Sequence, residues 1–258
     1  MTAPVAFALF LLATPAPAHR ESVVRPRPYP DGAALIRAMH DRYAGKWYHT
    51  LSFVQTTTLS RPTPHQETWY EAARIPGNLR IDISPVDSEN MILFRHDTLY
   101  RFKQGQLAGS RPFVHPLMVL GFDVYLDAPD TTIGKLKALG FAMDRIREAA
   151  WQGRPVYVVG AGEGDTTSAQ FWIDKERLLF VRMLEPVGDK PGTIAETQFN
   201  RYQPLGQGWI SVEVVFSVNG EQITKEEYAE VRGDPELPAD LFDATAYKAP
   251  GWVGGGGK

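Results

Sequence analysis

Covalent hydrolysis needs a nucleophile held beside a base, and this 258-residue chain supplies the parts without the arrangement. It has no cysteine, which excludes thiolate nucleophiles, disulfides and thiolate metal sites. Its serines (Ser52, Ser60, Ser84, Ser88, Ser110, Ser168, Ser211 and Ser217) fall in alternating runs or polar loops, and none sits in a Gly-x-Ser-x-Gly elbow. Asp123 and Asp127 are spaced as a carboxylate pair, yet a chain with 30 acidic residues produces such pairs by chance. None of the six histidines (His19, His40, His49, His65, His96 and His115) stands at ligand spacing from another metal donor on one helix face. Asp82, Asp87 and Glu89 offer oxygens to a hard cation but lack calcium-loop spacing, and read as a solvated acidic loop. The run Gly160-Ala161-Gly162-Glu163-Gly164-Asp165 resembles a phosphate loop only until its context is read. A phosphate loop must open a helix, whereas Ser168–Asp174 has strand composition, so the glycines read as a hairpin loop. The expectation is a protein that is not an enzyme and carries no metal or cofactor.

What remains is apolar and aromatic, and it is carried on strands. Trp47, Leu51, Phe53 and Leu59 share one parity of a run whose other parity is Tyr48, Thr50, Ser52, Thr56 and Thr58. Leu79, Ile81 and Ile83 alternate with Arg80 and Asp82. Met91–Phe94 and Leu99–Phe102 follow, divided by the turn-like His96-Asp97-Thr98. Period two means a sheet with distinct faces. A second series occupies Phe141–Ala150, Pro155–Val159, Ala169–Asp174, Leu178–Leu184, Ile194–Tyr202, Trp209–Val218 and Glu221–Arg232. Asn219-Gly220 is a tight-hairpin signal, and Gly206-Gln207-Gly208 and Asp174–Arg177 are further turns. Short connections imply antiparallel order, with about ten or eleven strands in all.

Three helices are expected. Asp31 caps one that runs to about Tyr43 and ends at Gly45. Arg111–Gly121 is apolar without a period of two and reads as a short helix or an apolar flap. Asp130–Leu139 is the third, capped by Asp130. Three short helices cover less area than such a sheet exposes on one face. Either the sheet closes on itself or an apolar cavity remains, suited to an acyl chain.

Net charge is -3 and the isoelectric point near 6.1, which leaves no electrostatic case for nucleic acid. Ala3–Ala13 is an apolar run followed by Thr14-Pro15-Ala16-Pro17-Ala18, which reads as a secretory signal over residues 1–18 cleaved after Ala18. Residues 19–30 are a Pro-rich linker, 31–247 one domain, and 248–258 a flexible glycine tail. These features place the protein in the periplasm or outside the cell.

The order of several short motifs carries a resemblance over Asp31 to Phe242. After the first helix come Ser52-Phe53-Val54-Gln55-Thr56, Trp69-Tyr70 and Arg74-Ile75-Pro76-Gly77-Asn78-Leu79-Arg80. Ile92-Leu93-Phe94, Thr98–Phe102, Pro112-Phe113 and Leu117-Met118-Val119-Leu120 follow, then Gln170–Asp174 with a hairpin to Arg182, and last Pro238-Ala239-Asp240-Leu241-Phe242. This resembles the LolA/LolB-type periplasmic lipoprotein carriers and their outer membrane lipoprotein-sorting relatives. The resemblance implies a mainly β, α+β fold: an unclosed antiparallel barrel with short helices lying as a lid over its concave face. It implies lipid or lipoprotein acyl chains as cargo, and a transient membrane-associated donor or acceptor protein as partner. In the carriers an arginine latches the lid, and Arg74 is the nearest match here. The missing lipobox cysteine separates the chain from the anchored receptor type, and its long strands after Ile194 fit the broader sorting group better.

The resulting expectation is a carrier whose cavity is lined by Phe53, Trp69, Leu79, Ile81, Ile92, Phe94, Phe171, Ile173 and Leu178. Leu117, Met118 and Leu120 close it, and Arg74 serves the lid. A packed protein-binding or envelope-stress module of the same fold is the alternative, and a lipid-processing hydrolase a distant third.

Overall fold

The computed structural model describes residues 29–188 and 192–251. The leader expected over residues 1–18 and most of the linker lie outside the described residues, as does the tail from 252 on. The first meander comprises β1 (Thr50–Leu59), β2 (His65–Arg74), β3 (Asn78–Ile83), β4 (Met91–Arg95), β5 (Thr98–Lys103) and β6 (Gln106–Pro112). The second comprises β7 (Ile146–Trp151), β8 (Arg154–Val159), β9 (Gln170–Asp174), β10 (Phe180–Pro186), β11 (Ile194–Leu205), β12 (Gly208–Val218) and β13 (Glu221–Gly233). All pair antiparallel with their chain neighbours, and β1 pairs with β13, so the two meanders fuse into one 13-stranded sheet. β6 and β7 are its two free edges, and the sheet does not close.

Local chemistry sets most of the boundaries. Asn219 (φ 50°) and Gly220 (φ 80°) occupy the left-handed region that a two-residue β12–β13 turn requires. Asp174 accepts from the backbone N–H of Glu176 and Arg177 (3.0 and 2.8 Å), which folds the chain between β9 and β10. Gly160 confirms a hairpin loop over a phosphate loop: it has φ 107°, and a Cβ there would lie 2.3 Å from the Ala169 carbonyl oxygen. The strand expected from Phe141 starts only at Ile146, because Phe141 to Arg145 turn to bring α3 back to the sheet. The extra strands relative to expectation include β6, which runs to Pro112 as an exposed edge. Proline is tolerated there because an edge strand has no partner for the missing N–H.

Helix α1 (Gly32–Tyr43) begins at Asp31, whose carboxylate accepts from Ala34 N–H at 2.7 Å. Helices α2 (Pro116–Gly121) and α3 (Pro129–Ala138), with a 3-10 turn between them at Asp123–Tyr125, connect edge β6 to edge β7 across the concave face. Pro129, not Asp130, opens α3, after Ala128 as the capping residue.

The two concave halves are filled unequally. Leu35, Ile36 and Met39 of α1, with Tyr125 and Leu136, pack on Phe171, Ile173, Leu179 and Phe180 in one buried core. Trp47 stacks on Tyr125 with ring centroids 3.8 Å apart. Tyr43, Tyr202 and Tyr125 spend their hydroxyls on the carbonyls of Arg177, Phe180 and Leu178 (2.7, 2.6 and 3.4 Å), so these three phenols are buried with their polar tips paired, whereas the Trp47 Nε1 is left without a partner. That part, under β7–β10, is solid among the described residues.

The convex face of the first meander is also covered. Met91, Leu93 and Phe102 point outward and bury against Leu241 and Phe242 of the segment after β13. Arg80 anchors that segment. Its guanidinium binds Asp82 with two hydrogen bonds (2.7 and 2.8 Å) and donates to the carbonyls of Leu241 (2.9 Å) and Lys248 (2.5 Å). Both members of the pair are 1 % exposed. Burial outweighs the arginine's hydrogen bonds and charge, and lifts the Asp82 carboxyl above its ordinary range.

Candidate functional site

The half under β1–β4 is hollow. Its floor is set by the alternation of the strands: Leu51 and Phe53 on β1, Trp69, Glu71 and Ala73 on β2, Leu79 and Ile81 on β3, Ile92 and Phe94 on β4. Val214 and Phe216 of β12 and Glu226 and Tyr228 of β13 continue it on the far side of β1. His115, Leu117, Met118 and Phe122, on and around α2, form the roof. Between them lies a cavity of about 250 Å³. Its wall is apolar apart from a few groups described below.

The roof is tied down at defined points. Asp123, 2 % exposed, accepts from Gly77 N–H at 3.0 Å, linking the turn after α2 to the β2–β3 turn. Burial pushes its carboxyl up to about 7, against that hydrogen bond. Lys135 of α3 reaches Asp97 in the β4–β5 turn at 3.1 Å and Asp127 at 3.7 Å. Gly121 lets α2 lie directly on β11: a Cβ there would come within 2.8 Å of the Phe199 ring.

The sequence-predicted residues divide cleanly. Phe53, Trp69, Leu79, Ile81, Ile92, Phe94, Leu117 and Met118 all line the cavity. Leu120, Phe171, Ile173 and Leu178 do not: they belong to the solid core of the other half. Arg74 is on the opposite face of β2 from Trp69, Glu71 and Ala73. It donates to the carbonyls of Pro238 and Ala239 (3.2 and 3.4 Å), and its guanidinium lies 4.9 Å from the Phe242 ring centre. It therefore holds the C-terminal segment on the convex side, and the cavity roof is tied to the β2–β3 and β4–β5 turns by Asp123 and Lys135.

Sequence reasoning missed the polar groups of the wall. Glu71 is 5 % exposed and, among the described residues, has neither a hydrogen bond nor an ion pair. Burial, and then the charge of Glu226, raises its carboxyl well above the usual range. Glu226 accepts from the Tyr228 hydroxyl at 3.2 Å. Burial lifts it to about 7 despite hydrogen bonds from Tyr228 and Gln55. Tyr228 stacks on Phe53, with centroids 4.2 Å apart. The His115 imidazole is pushed down to about 4 by burial, and its Nδ1 lacks a partner. The available signal was parity: Glu71 shares the face of Trp69 and Ala73, an acid at a core position. Among the described residues no group of His, Asp and Glu has the geometry to hold a metal ion. No described helix is long and apolar enough to cross a membrane.

No family model matches the sequence, and no curated protein matches it. Solved structures do match in fold. A DUF1329 family protein from Desulfovibrio piger superposes with a TM-score of 0.56 at 13 % identity, covering 84 % of this chain and 98 % of that one. A protein domain named for outer membrane lipoprotein sorting, from Vibrio parahaemolyticus, superposes with a TM-score of 0.55 at 13 % identity, covering 82 % and 96 %. A LolA superfamily protein from Nitrosomonas europaea superposes more loosely, at 0.49 and 10 % identity, covering 80 % and 96 %. The chain shares the fold of the first two, and its own sheet is antiparallel and unclosed with short helices across the concave face, the architecture that the resemblance in its motifs implied.

Proposed function

We propose that the protein is a non-catalytic carrier that takes up a lipid or the acyl chain of a lipoprotein in the cavity under β1–β4. The observation that carries this reading is the unfilled apolar space of about 250 Å³ between sheet and helices, in a chain whose other half is solid. A site whose wall is mostly apolar side chains, with a few convergent polar groups, is the ordinary form of a small-molecule site. The fold it shares with a domain named for lipoprotein sorting supports the same direction.

The cavity sets the size of the cargo. An apolar cavity of ~150 Å³ holds a benzene molecule, so this one accommodates about ten carbons. At ~0.8 kcal/mol per buried methylene, that segment contributes roughly 8 kcal/mol gross. Association and ordering cost about 4 kcal/mol or more, which leaves a reversible hold of the kind a carrier needs. Loading and release then involve a transient membrane-associated donor or acceptor protein, and the protein works in the periplasm or outside the cell. The net charge of -3 gives nucleic acid no role. A packed protein-binding or envelope-stress module fits less well, since such a module has no use for an interior space.

The test is organic-solvent extraction of protein purified from its native envelope, followed by mass spectrometry. Co-purified acyl species in near-stoichiometric amount are expected. Their repeated absence rejects the reading.

A further inference from the structure

Two carboxyl groups in an oily cavity are an expense unless something meets them. Glu71 on β2 and Glu226 on β13 face this cavity from the two strands that flank β1. Among the described residues neither makes an ion pair, and no lysine or arginine lines the cavity. Lys225 and Glu227, the neighbours of Glu226 along β13, pair with each other at 3.0 Å, and Lys225 also reaches Glu213 at 3.4 Å. The nearby cation is therefore already engaged elsewhere. Glu71 is without any hydrogen-bond partner although it is 5 % exposed. A folded chain gains nothing from leaving such a group alone, since a carboxyl held in an apolar wall without a partner loses much of its hydration uncompensated.

We propose that the cavity takes an amphiphile whose head is a single ammonium group, with Glu71 and Glu226 as the anionic end of the site and the apolar wall as the tail end. This rests on the carrier reading above and names the head chemistry it left open. A carboxylate or phosphate head would bring a further anion beside the two acids and is disfavoured at a few ångströms in a low-dielectric site. A hydroxyl head satisfies one hydrogen bond and neutralises nothing. An ammonium supplies three donors and the missing charge. One carboxylate pairs with it while the other keeps its proton, since the charge of Glu226 adds to burial in raising the Glu71 carboxyl.

Binding then releases a proton wherever the free site holds one. The groups facing Glu226 are Glu71 on β2, Tyr228 on β13 and His115 ahead of α2, with Gln55 and Thr57 of β1 as uncharged neighbours and Val214 and Phe216 contributed by β12. His115 is neutral above about 4, so Glu226, at about 7, governs the window. Affinity for the ammonium rises from pH 5 to pH 8 by up to about 100-fold, two units of proton competition.

The experiment is calorimetric titration of the full chain with decylamine, decanol and decanoate at pH 5 and pH 8. Decylamine is expected to bind at least tenfold tighter than either other ligand at pH 8, and to lose most of that lead at pH 5. Glu71→Gln and Glu226→Gln each shrink the preference for decylamine over decanol, and circular dichroism with a cooperative urea transition shows that the variants are folded. Equal binding of all three ligands, or an unchanged preference in both variants, overturns the ammonium assignment and leaves the apolar carrier standing. If none of the three binds, both readings fall together.

Discussion

The half-buried acid of β13 makes a quantitative prediction about stability. Glu226 has an ordinary carboxyl value of 4.5 and is raised in the folded chain to about 7, with burial as the main cause. Between those values the folded state binds a proton that the unfolded state has released. Stability therefore falls as pH rises through the window, and the penalty is complete above pH 7. At ~1.4 kcal/mol per unit, the pH-dependent part between pH 5 and pH 8 is about 2 to 3 kcal/mol. In a chain of this size that corresponds to a shift of the melting temperature of roughly 5–10 °C. Glu71 and Asp123, also raised by burial, act in the same direction. His115, pushed down to about 4, acts in the opposite direction between pH 4 and pH 6.5. The clean quantity is thus a difference. Urea unfolding of the native chain and of Glu226→Gln, at pH 5 and pH 8, isolates the one carboxyl. The native chain is expected to lose about 2 to 3 kcal/mol more than the variant across that span. If the variant shows the same pH dependence within about 0.5 kcal/mol, or the native chain gains stability toward pH 8 relative to it, folding does not raise the Glu226 carboxyl and the reasoning fails.

Three further outcomes follow from the packing. Arg80→Ala strands the Asp82 carboxylate at 1 % exposure and removes the donors to Leu241 and Lys248, so it is expected to cost about 3–5 kcal/mol. Hydrogen exchange should then speed up in residues 237–248, and a loss under 1 kcal/mol would show that the pair is not the anchor. Ala73→Ile fills space from the cavity floor; decanol binding should drop at least tenfold, with the unfolding midpoint changed little. Phe180→Ala, in the solid half at 0 % exposure, is expected to cost about 3–5 kcal/mol. Phe216→Ala opens a wall that already faces a void and should cost clearly less; equal losses in the two would mean that the cavity is filled in solution.

Local rules carried the sequence a long way. Asp31 as a helix cap, Asn219-Gly220 as a two-residue turn and the alternation of Leu79, Ile81, Ile92 and Phe94 each depend on neighbours in the chain, and each appears in the structure. The same alternation that turns Trp69 inward turns Arg74 outward. That parity was legible, and it contradicts the latch role that the resemblance suggested. Phe171, Ile173 and Leu178 could not be sorted this way. Leu178 falls in the β9–β10 turn (φ 56°) and not at the start of a strand, and β9 is buried on both faces, so its apolar residues look alike whether they meet a cavity or a packed helix.

What the sequence determined by itself was therefore an antiparallel sheet, its turns and its inward faces, because a period of two and a two-residue turn are short-range consequences of backbone geometry. Only the tertiary structure decided that β13 lies against β1, which brings Glu226 and Tyr228 to the same space as Glu71 although they are far from it in the chain. It also decided which half the three helices fill and which half they leave open. Both are pairings between distant segments, fixed by total shape and volume, and no local pattern encodes them.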